Sequence, residues 1–448
     1  MPLKTVLFLG LFIVCTVGAL YAPLLGVLGY VAHYCIGPER QWWEAPIGYW
    51  GLRYSYTLAI ATAIGMAIHW RSLRFGKTFL VRHEWLILLF LGIVWLSTLA
   101  SEETWAFYTT VDHPSLKMTK VVVFLLMMSH VVTTNKALDA LLWVLIVGSL
   151  ILGLQAFSTP LSQFARGRLE SVGGPDFSEA NFLAAFLASM LPLIGAQFLR
   201  SGWLGKGVCL ISGVFTTNAV ILTRSRGSLV GIAGGALAVV FLAPKRHRGK
   251  ILLGLAVALA GGFYLTDPGF VGRASTITTD GEERDASAQG RIETWQASLD
   301  LLSDHPLGVG AGNFFQAIGR YNPKYEGRDA HNTYVRCYSE LGIPGIVVLL
   351  ALIGSAALTV KRAALASSDL PPPHRDRLTY LCLGLSVGFV TLFVAALPIT
   401  LIYNEFLWWW LVLPVCLERV LTNLQEDLAE ARVTVALPHL LETGAWSG

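Results

Sequence analysis

The chain has 448 residues, of which 54% are hydrophobic and only 14% charged, with a formal net charge of +4. Its positive mean hydropathy excludes an ordinary soluble globular protein, and apolar stretches of membrane-crossing length recur along it. So small a charge excess gives no electrostatic basis for binding nucleic acid, and the basic residues read instead as topology signals and local sites.

Lys4 precedes a first apolar run, but Leu20-Tyr21-Ala22 is a poor small-x-small cleavage signal, so the first helix is expected to be retained. Apolar periods predict an all-α polytopic membrane protein with about twelve spans, over residues 6–22, 55–70, 84–100, 117–133, 138–157, 181–198, 206–222, 228–243, 251–265, 343–361, 378–397 and 401–421. An even number returns the C-terminus to the side of the N-terminus. A further apolar segment, 24–36, reads as part of a bent or re-entrant first element. The chain then divides into helices 1–9 (residues 1–265), a large polar loop (266–342), helices 10–12 (343–421) and a tail (422–448).

With a cytoplasmic N-terminus, the inside loops carry Arg71, Arg74, Lys77 and Arg82; Lys136; Arg200 and Lys206; Lys245, Arg246, Arg248 and Lys250; and Lys361, Arg362, Arg375 and Arg377. The short basic loops then share one side, as the positive-inside rule requires, and the 266–342 loop faces out with the tail cytoplasmic. Arginine dominates the outer side: Arg40, Arg53, Arg166, Arg168, Arg224, Arg226, Arg273, Arg284, Arg291, Arg320, Arg328 and Arg336, against Lys117, Lys120 and Lys324. A guanidinium grips phosphate in a bidentate way that an ammonium does not, so this bias fits a phosphate-bearing ligand; snorkelling to lipid headgroups is the plain alternative.

Three stretches stand out. Gly173-Gly-Pro-Asp176 turns before Ser178, a candidate helix cap, and Asp176, Glu179 and Asn181 are of types that can meet sugar hydroxyls, although capping and solvation are their commoner uses. Leu222-Thr-Arg-Ser-Arg-Gly-Ser228 joins two spans through so short a turn that Arg224 or Arg226 must sit near the bundle interior, where adjacent cations call for an anion. The 266–342 loop holds Gly290-Arg291 with Trp295, Gly308-Val-Gly-Ala-Gly312, and His331-Asn332-Thr-Tyr334 leading to Glu340-Leu-Gly342; its aromatic residues predict a folded loop. The Gly308–Gly312 run lacks the βαβ context of a nucleotide fingerprint and reads as a tight turn. Acidic Asp267, Asp280, Glu282, Glu283 and Asp285 show no ligand spacing, and the six cysteines form no C-x-x-C pair, so neither a metal site nor a disulfide framework is expected. Trp408-Trp409-Trp410 reads as an interfacial aromatic belt.

Taken in order, Leu222-Thr-x-Ser-Arg226-Gly, Gly290-Arg291 with Trp295, His305-Pro-Leu-Gly-Val-Gly-x-Gly-Asn-Phe314 and His331-Asn-x-Tyr334 with Glu340-Leu-Gly342 resemble the O-antigen ligase and polymerase superfamily. The Gly-Pro-Asp block with Asn181 is similar to it too, and together these cover about residues 173–345. The resemblance implies a bacterial inner-membrane glycosyltransferase with a fold of the C type and a periplasmic site. Its donor would be a glycan on undecaprenyl diphosphate; no cofactor is implied. It places Arg226, Arg291 and His331 on functional positions; Arg224 is added on the ground of the short turn it shares with Arg226, and Asn332, Tyr334, Asn181 and Trp295 are the further substrate-binding candidates. The expected acceptor is the lipid A core, as in lipopolysaccharide biosynthesis; repeat-unit polymerisation and protein O-glycosylation are the alternatives within the superfamily. The expected chemistry is inverting and metal-independent: guanidinium groups stabilise the departing diphosphate and His331 takes the proton of the incoming hydroxyl. A transporter or flippase of the same lipid-linked glycan is the rival class, but no internal repeat is evident and the candidate residues gather on one side.

Overall fold

The structure is a computed structural model that describes residues 1–74, 78–101, 113–165, 167–266, 268–275, 282–372 and 374–442. Lys77, Arg166, Asp267 and Asp280 lie outside the described residues, as do the side chains of Arg273, Glu282, Glu283, Arg284 and Asp285. Among the described residues the chain is helical throughout, apart from one isolated bridge between Ala165 and Arg168.

The helices run α1 (Leu3–Tyr21), α2 (Pro23–Ile36), α3 (Ala45–Gly48), α4 (Tyr54–Ile68), α5 (Arg82–Ala100), α6 (Pro114–Val131), α7 (Asn135–Ser158), α8 (Ala180–Arg200), α9 (Trp203–Thr223), α10 (Arg226–Leu242), α11 (Arg248–Tyr264), α12 (Pro268–Ser275), α13 (Glu282–Asp304), α14 (Phe314–Tyr321), α15 (Thr333–Ala366), α16 (His374–Ala395) and α17 (Glu405–Glu442). Among the described residues eight are long and apolar enough to cross a membrane: α1, α5, α6, α7, α8, α9, α15 and α16. The shorter α4 and α10 are also apolar. All twelve intervals expected from the sequence fall on helices, yet they are not twelve equal spans. At 15 and 17 residues, α4 and α10 reach about 22 to 26 Å at a rise of roughly 1.5 Å per residue, less than a bilayer core of about 30 Å. The segment in α17 carries Glu405, Glu418 and Arg419.

The first element is a hairpin. The chain leaves helical geometry at Ala22, and Pro23, which needs no amide donor, starts α2. Helix α2 then runs back along α1, with Gly26 against Ala19, Gly29 against Cys15, and the rings of Phe8 and His33 6.5 Å apart. Helix α4 fills the groove, its Tyr54 ring edge-on to Phe8 at 5.1 Å and Gly65 against the Ala19 carbonyl. This corrects the expected orientation of the N-terminus. Because α2 is a full return, the start of α1 lies beside Trp43, at the end of the bundle that holds the polar domain, while α17 passes Arg74 with its Asp427 at the opposite end.

That opposite end gathers the α4–α5, α6–α7, α8–α9, α10–α11 and α15–α16 connections, hence the short basic loops. Arg200–Asp139 (2.6 Å), His247–Asp376 (3.6 Å) and the buried Arg419–Glu84 pair (2.7 Å) tie it together. The other end carries residues 164–181, the α9–α10 turn, α12–α14 and the 396–404 connection. Trp408, Trp409 and Trp410 do not form a belt; all three are buried, because α17 runs through the middle of the bundle with neighbours on every side. The Trp408 indole donates to the Ile402 carbonyl at 2.8 Å.

Residues 282–332 form a folded cap on α15. Ala297, Phe314, Ile318, Ala330 and Val335 make its small core. The glycine-rich run is the docking strap: Gly308, Gly310 and Gly312 all have positive φ, and the amides of Val309 and Gly310 donate to the Ser339 and Glu340 carbonyls at 3.0 and 2.9 Å. Those carbonyls are freed by a break in α15 at Gly342, where φ is 67° and ψ −166°.

Candidate functional site

Between the cap and the bundle lies a cleft of about 810 Å³. One wall is α13, presenting Arg291. The second is the 327–331 turn, with Asp329 and His331. The third is formed by Glu179 and by Thr400, Tyr403 and Asn404 of the 396–404 connection. Next to Arg291, the Tyr325 ring packs against α13 at Gly290.

His331 has a φ of 47°, in the left-handed region that a side chain disfavours. The residues around it hold that geometry. Its amide donates to Asp329 Oδ2 at 3.2 Å, the Trp295 indole donates to the Ala330 carbonyl at 2.9 Å, and the Asn332 amide donates to Thr400 Oγ1 at 3.1 Å. Asn332 also caps α15, its side-chain oxygen accepting from the amides of Tyr334 and Val335. The segment is thus a turn rather than a helix, so residues two apart meet: Nδ1 of His331 lies 3.6 Å from Asp329 Oδ2, with the His331 side chain 46% exposed to the cleft.

Behind the turn is a buried charge relay. Arg336, 3% exposed, donates to Asp329 Oδ1 at 2.9 Å and to Glu340 through Nε, and lies over the Phe315 ring at 4.2 Å. Glu340 also accepts from the Phe314 amide and the Tyr403 hydroxyl. Removing one member would strand a buried charge, so the relay holds the Asp329 carboxylate in one place.

The electrostatics of the cleft follow from these neighbours. Burial pushes His331 below the ordinary histidine range, Asp329 opposes that, and Arg291 adds to it. Burial would raise Asp329, but Arg336, His331 and the Thr400 hydroxyl outweigh it and hold the carboxyl below its usual value. Arg291 is lowered by burial and then by Arg226, while Asp329 opposes the shift. The charge of Arg226, on a different helix, is thus unfavourable to that of Arg291. Glu179 is raised by burial and by Asp329 and Glu170, against Arg168.

Of the residues singled out from the sequence, Arg291 and His331 line the cleft, and Arg226 at the start of α10 reaches Arg291 electrostatically. The other candidates stand behind its walls. Trp295 and Asn332 hold the turn; Tyr334 donates from its hydroxyl to the Phe393 carbonyl at 2.9 Å. Asn181 accepts from Arg168 at 2.7 Å and from Ser225 at 2.9 Å, which sets the turn carrying Arg226. Arg224, also at positive φ, packs against Gly167 and Gly269. Asp176 is buried, accepting from the Tyr34 hydroxyl, the Lys117 ammonium and the Glu405 amide, so it braces the 396–404 connection. Ser178 does not cap α8; Glu179 is the residue at that position, without a side-chain bond. Thr400 and Tyr403 were not singled out from the sequence, and Arg336 and Glu340 were named there without their pairing. The i,i+4 spacing of Arg336 and Glu340 was the available signal for that pairing.

The O-antigen ligase family model matches residues 211–350, from α9 through the cap to the break in α15. Over that stretch, under a third of its length, the chain is similar to the O-antigen ligase family. The Gly173–Asn181 block lies upstream of the match. No curated protein matches the chain. The match points in general to a glycosyltransferase-like ligase acting on lipid-linked glycans, and the apolar helices fit a multi-pass membrane protein.

Proposed function

We propose that this O-antigen ligase homologue transfers a glycan from undecaprenyl diphosphate to an acceptor hydroxyl on the periplasmic face of the inner membrane, the lipid A core being the expected acceptor. The observation that carries the reading is Arg291 in one cleft with the His331–Asp329 pair, its guanidinium also feeling the charge of Arg226 from the start of α10. Two repelling cations are relieved by a dianion, and a diphosphate held in bidentate fashion supplies one. With Nδ1 turned to Asp329, Nε2 of His331 accepts the acceptor's hydroxyl proton. The hydroxyl oxygen then bonds to the anomeric carbon as the bond to the diphosphate oxygen breaks, its electron pair leaving on a diphosphate stabilised by the guanidinium groups. Attack opposite the leaving group inverts the anomeric centre. The buried Arg336 keeps Asp329 ionised, so the imidazole stays oriented through the cycle. The reading invokes no metal or cofactor. It is tested by incubating purified protein with a defined undecaprenyl diphosphate glycan and a panel of acceptors: lipid A core, a second repeat unit and a pilin peptide. Mass gain by the lipid A core supports the reading; gain by another acceptor reassigns the acceptor; gain by none removes the enzyme reading.

A further inference from the structure

Arg328 stands at the mouth of the same cleft, three residues before His331, with its guanidinium over the Tyr325 ring at 5.6 Å. Two nearby carboxylates, Asp329 and Glu293, are committed elsewhere, and among the described residues no ion pair joins Arg328 to Glu326 or to Glu179 of the same cleft. Asp329 faces Arg336 and His331, Glu326 lies along Gly319, and Glu293 accepts from the Tyr325 hydroxyl and from Lys324 at 3.3 Å. Lys324 shares the Tyr325 ring but is paired with Glu293; among the described residues Arg328 has no carboxylate partner. A cation stacked on an aromatic face keeps its fork of donors pointing outward, preorganised for an oxyanion.

We propose that Arg328 is an anion-recognition subsite for the saccharide that the cleft receives, binding a phosphate monoester or a carboxylate carried on a sugar near the reacting hydroxyl. This rests on the glycosyl-transfer reading. It adds that the acceptor side discriminates by charge, since Arg328 and His331 share one turn while Arg226 and Arg291 stand at α10 and α13. An exposed arginine acts in partly screened surroundings, so its contribution is about tenfold in affinity.

The test is equilibrium binding to the full-length protein in detergent. The probes are a soluble tetrasaccharide bearing one phosphate monoester, the same compound after phosphatase treatment, a version bearing one glucuronic acid, and inorganic phosphate. The wild type should bind both charged saccharides about tenfold more tightly than the neutral one, and inorganic phosphate weakly. Arg328→Gln should abolish the preference, Arg328→Lys should keep part of it, and Arg291→Ala should leave it intact. A wild type without preference, or a preference that survives Arg328→Gln, overturns the assignment. Loss in Arg291→Ala with retention in Arg328→Gln moves the anion to the donor site. Donor binding, measured separately with undecaprenyl diphosphate on Arg291→Ala, reports on the transfer reading independently of these outcomes.

Discussion

At the scale of single residues, the cleft assigns different work to groups of the same type. Arg291 faces the cleft against Arg226, whereas Arg336 is buried between two carboxylates. Arg291→Ala should therefore lower transfer by orders of magnitude, and Arg291→Lys should rescue poorly, because the bidentate fork is what lysine lacks; steady-state transfer rates check this. Arg336→Ala should act first on stability, costing about 3 to 5 kcal/mol by leaving Asp329 and Glu340 uncompensated, which thermal unfolding in detergent measures. The pH dependence has a definite sign. The pKa of His331 is lowered by burial and Arg291, so the neutral base persists below the ordinary histidine range. Activity should hold at pH 6.5 and fall only as acid protonates the imidazole. An acid limb centred well above that value would contradict the assigned surroundings. Arg226, Arg291 and His331 were legible in the sequence because their motifs are local and stand out against apolar flanks. The joint role of Arg336, Glu340, Thr400 and Tyr403 was not, since apart from the Arg336–Glu340 pair their contacts join elements that only the fold brings together.

At the scale of elements, the apolar periods located the helices, but not where helices break. The α15 period runs on through Gly342, yet the backbone there enters a region essentially reserved for glycine, and a Cβ would approach the Pro306 carbonyl oxygen to 2.3 Å. Gly342→Ala should cost on the order of 1 to 3 kcal/mol and loosen the strap at Val309 and Gly310. Hydrogen exchange at those two amides should rise in the variant and stay slow in the wild type. The tryptophan triplet shows the converse limit. Aromatic residues near a helix end suit a lipid interface, and only the position of α17 inside the bundle decides that these three face protein.

At the scale of the whole molecule, the two ends of the bundle differ in charge, and that polarity was legible from loop composition alone. The side of the N-terminus was not, because α2 is too short to count as a crossing by hydropathy yet returns the full way along α1. Impermeant cysteine labelling should place positions 3 and 320 on one side, and positions 74 and 246 on the other; labelling of positions 3 and 74 from the same side would remove the hairpin. The central claim joins this architecture to chemistry: donor binding by arginine and proton removal by His331 are separable acts in one cleft. The most direct measurement is single-turnover glycan transfer by His331→Gln, with donor binding followed on the same preparation from pH 6 to 9. The expected result is wild-type donor affinity with transfer slowed by roughly a hundredfold to ten-thousandfold. Transfer at the wild-type rate across that range would show that His331 only positions the acceptor and that the proton goes elsewhere.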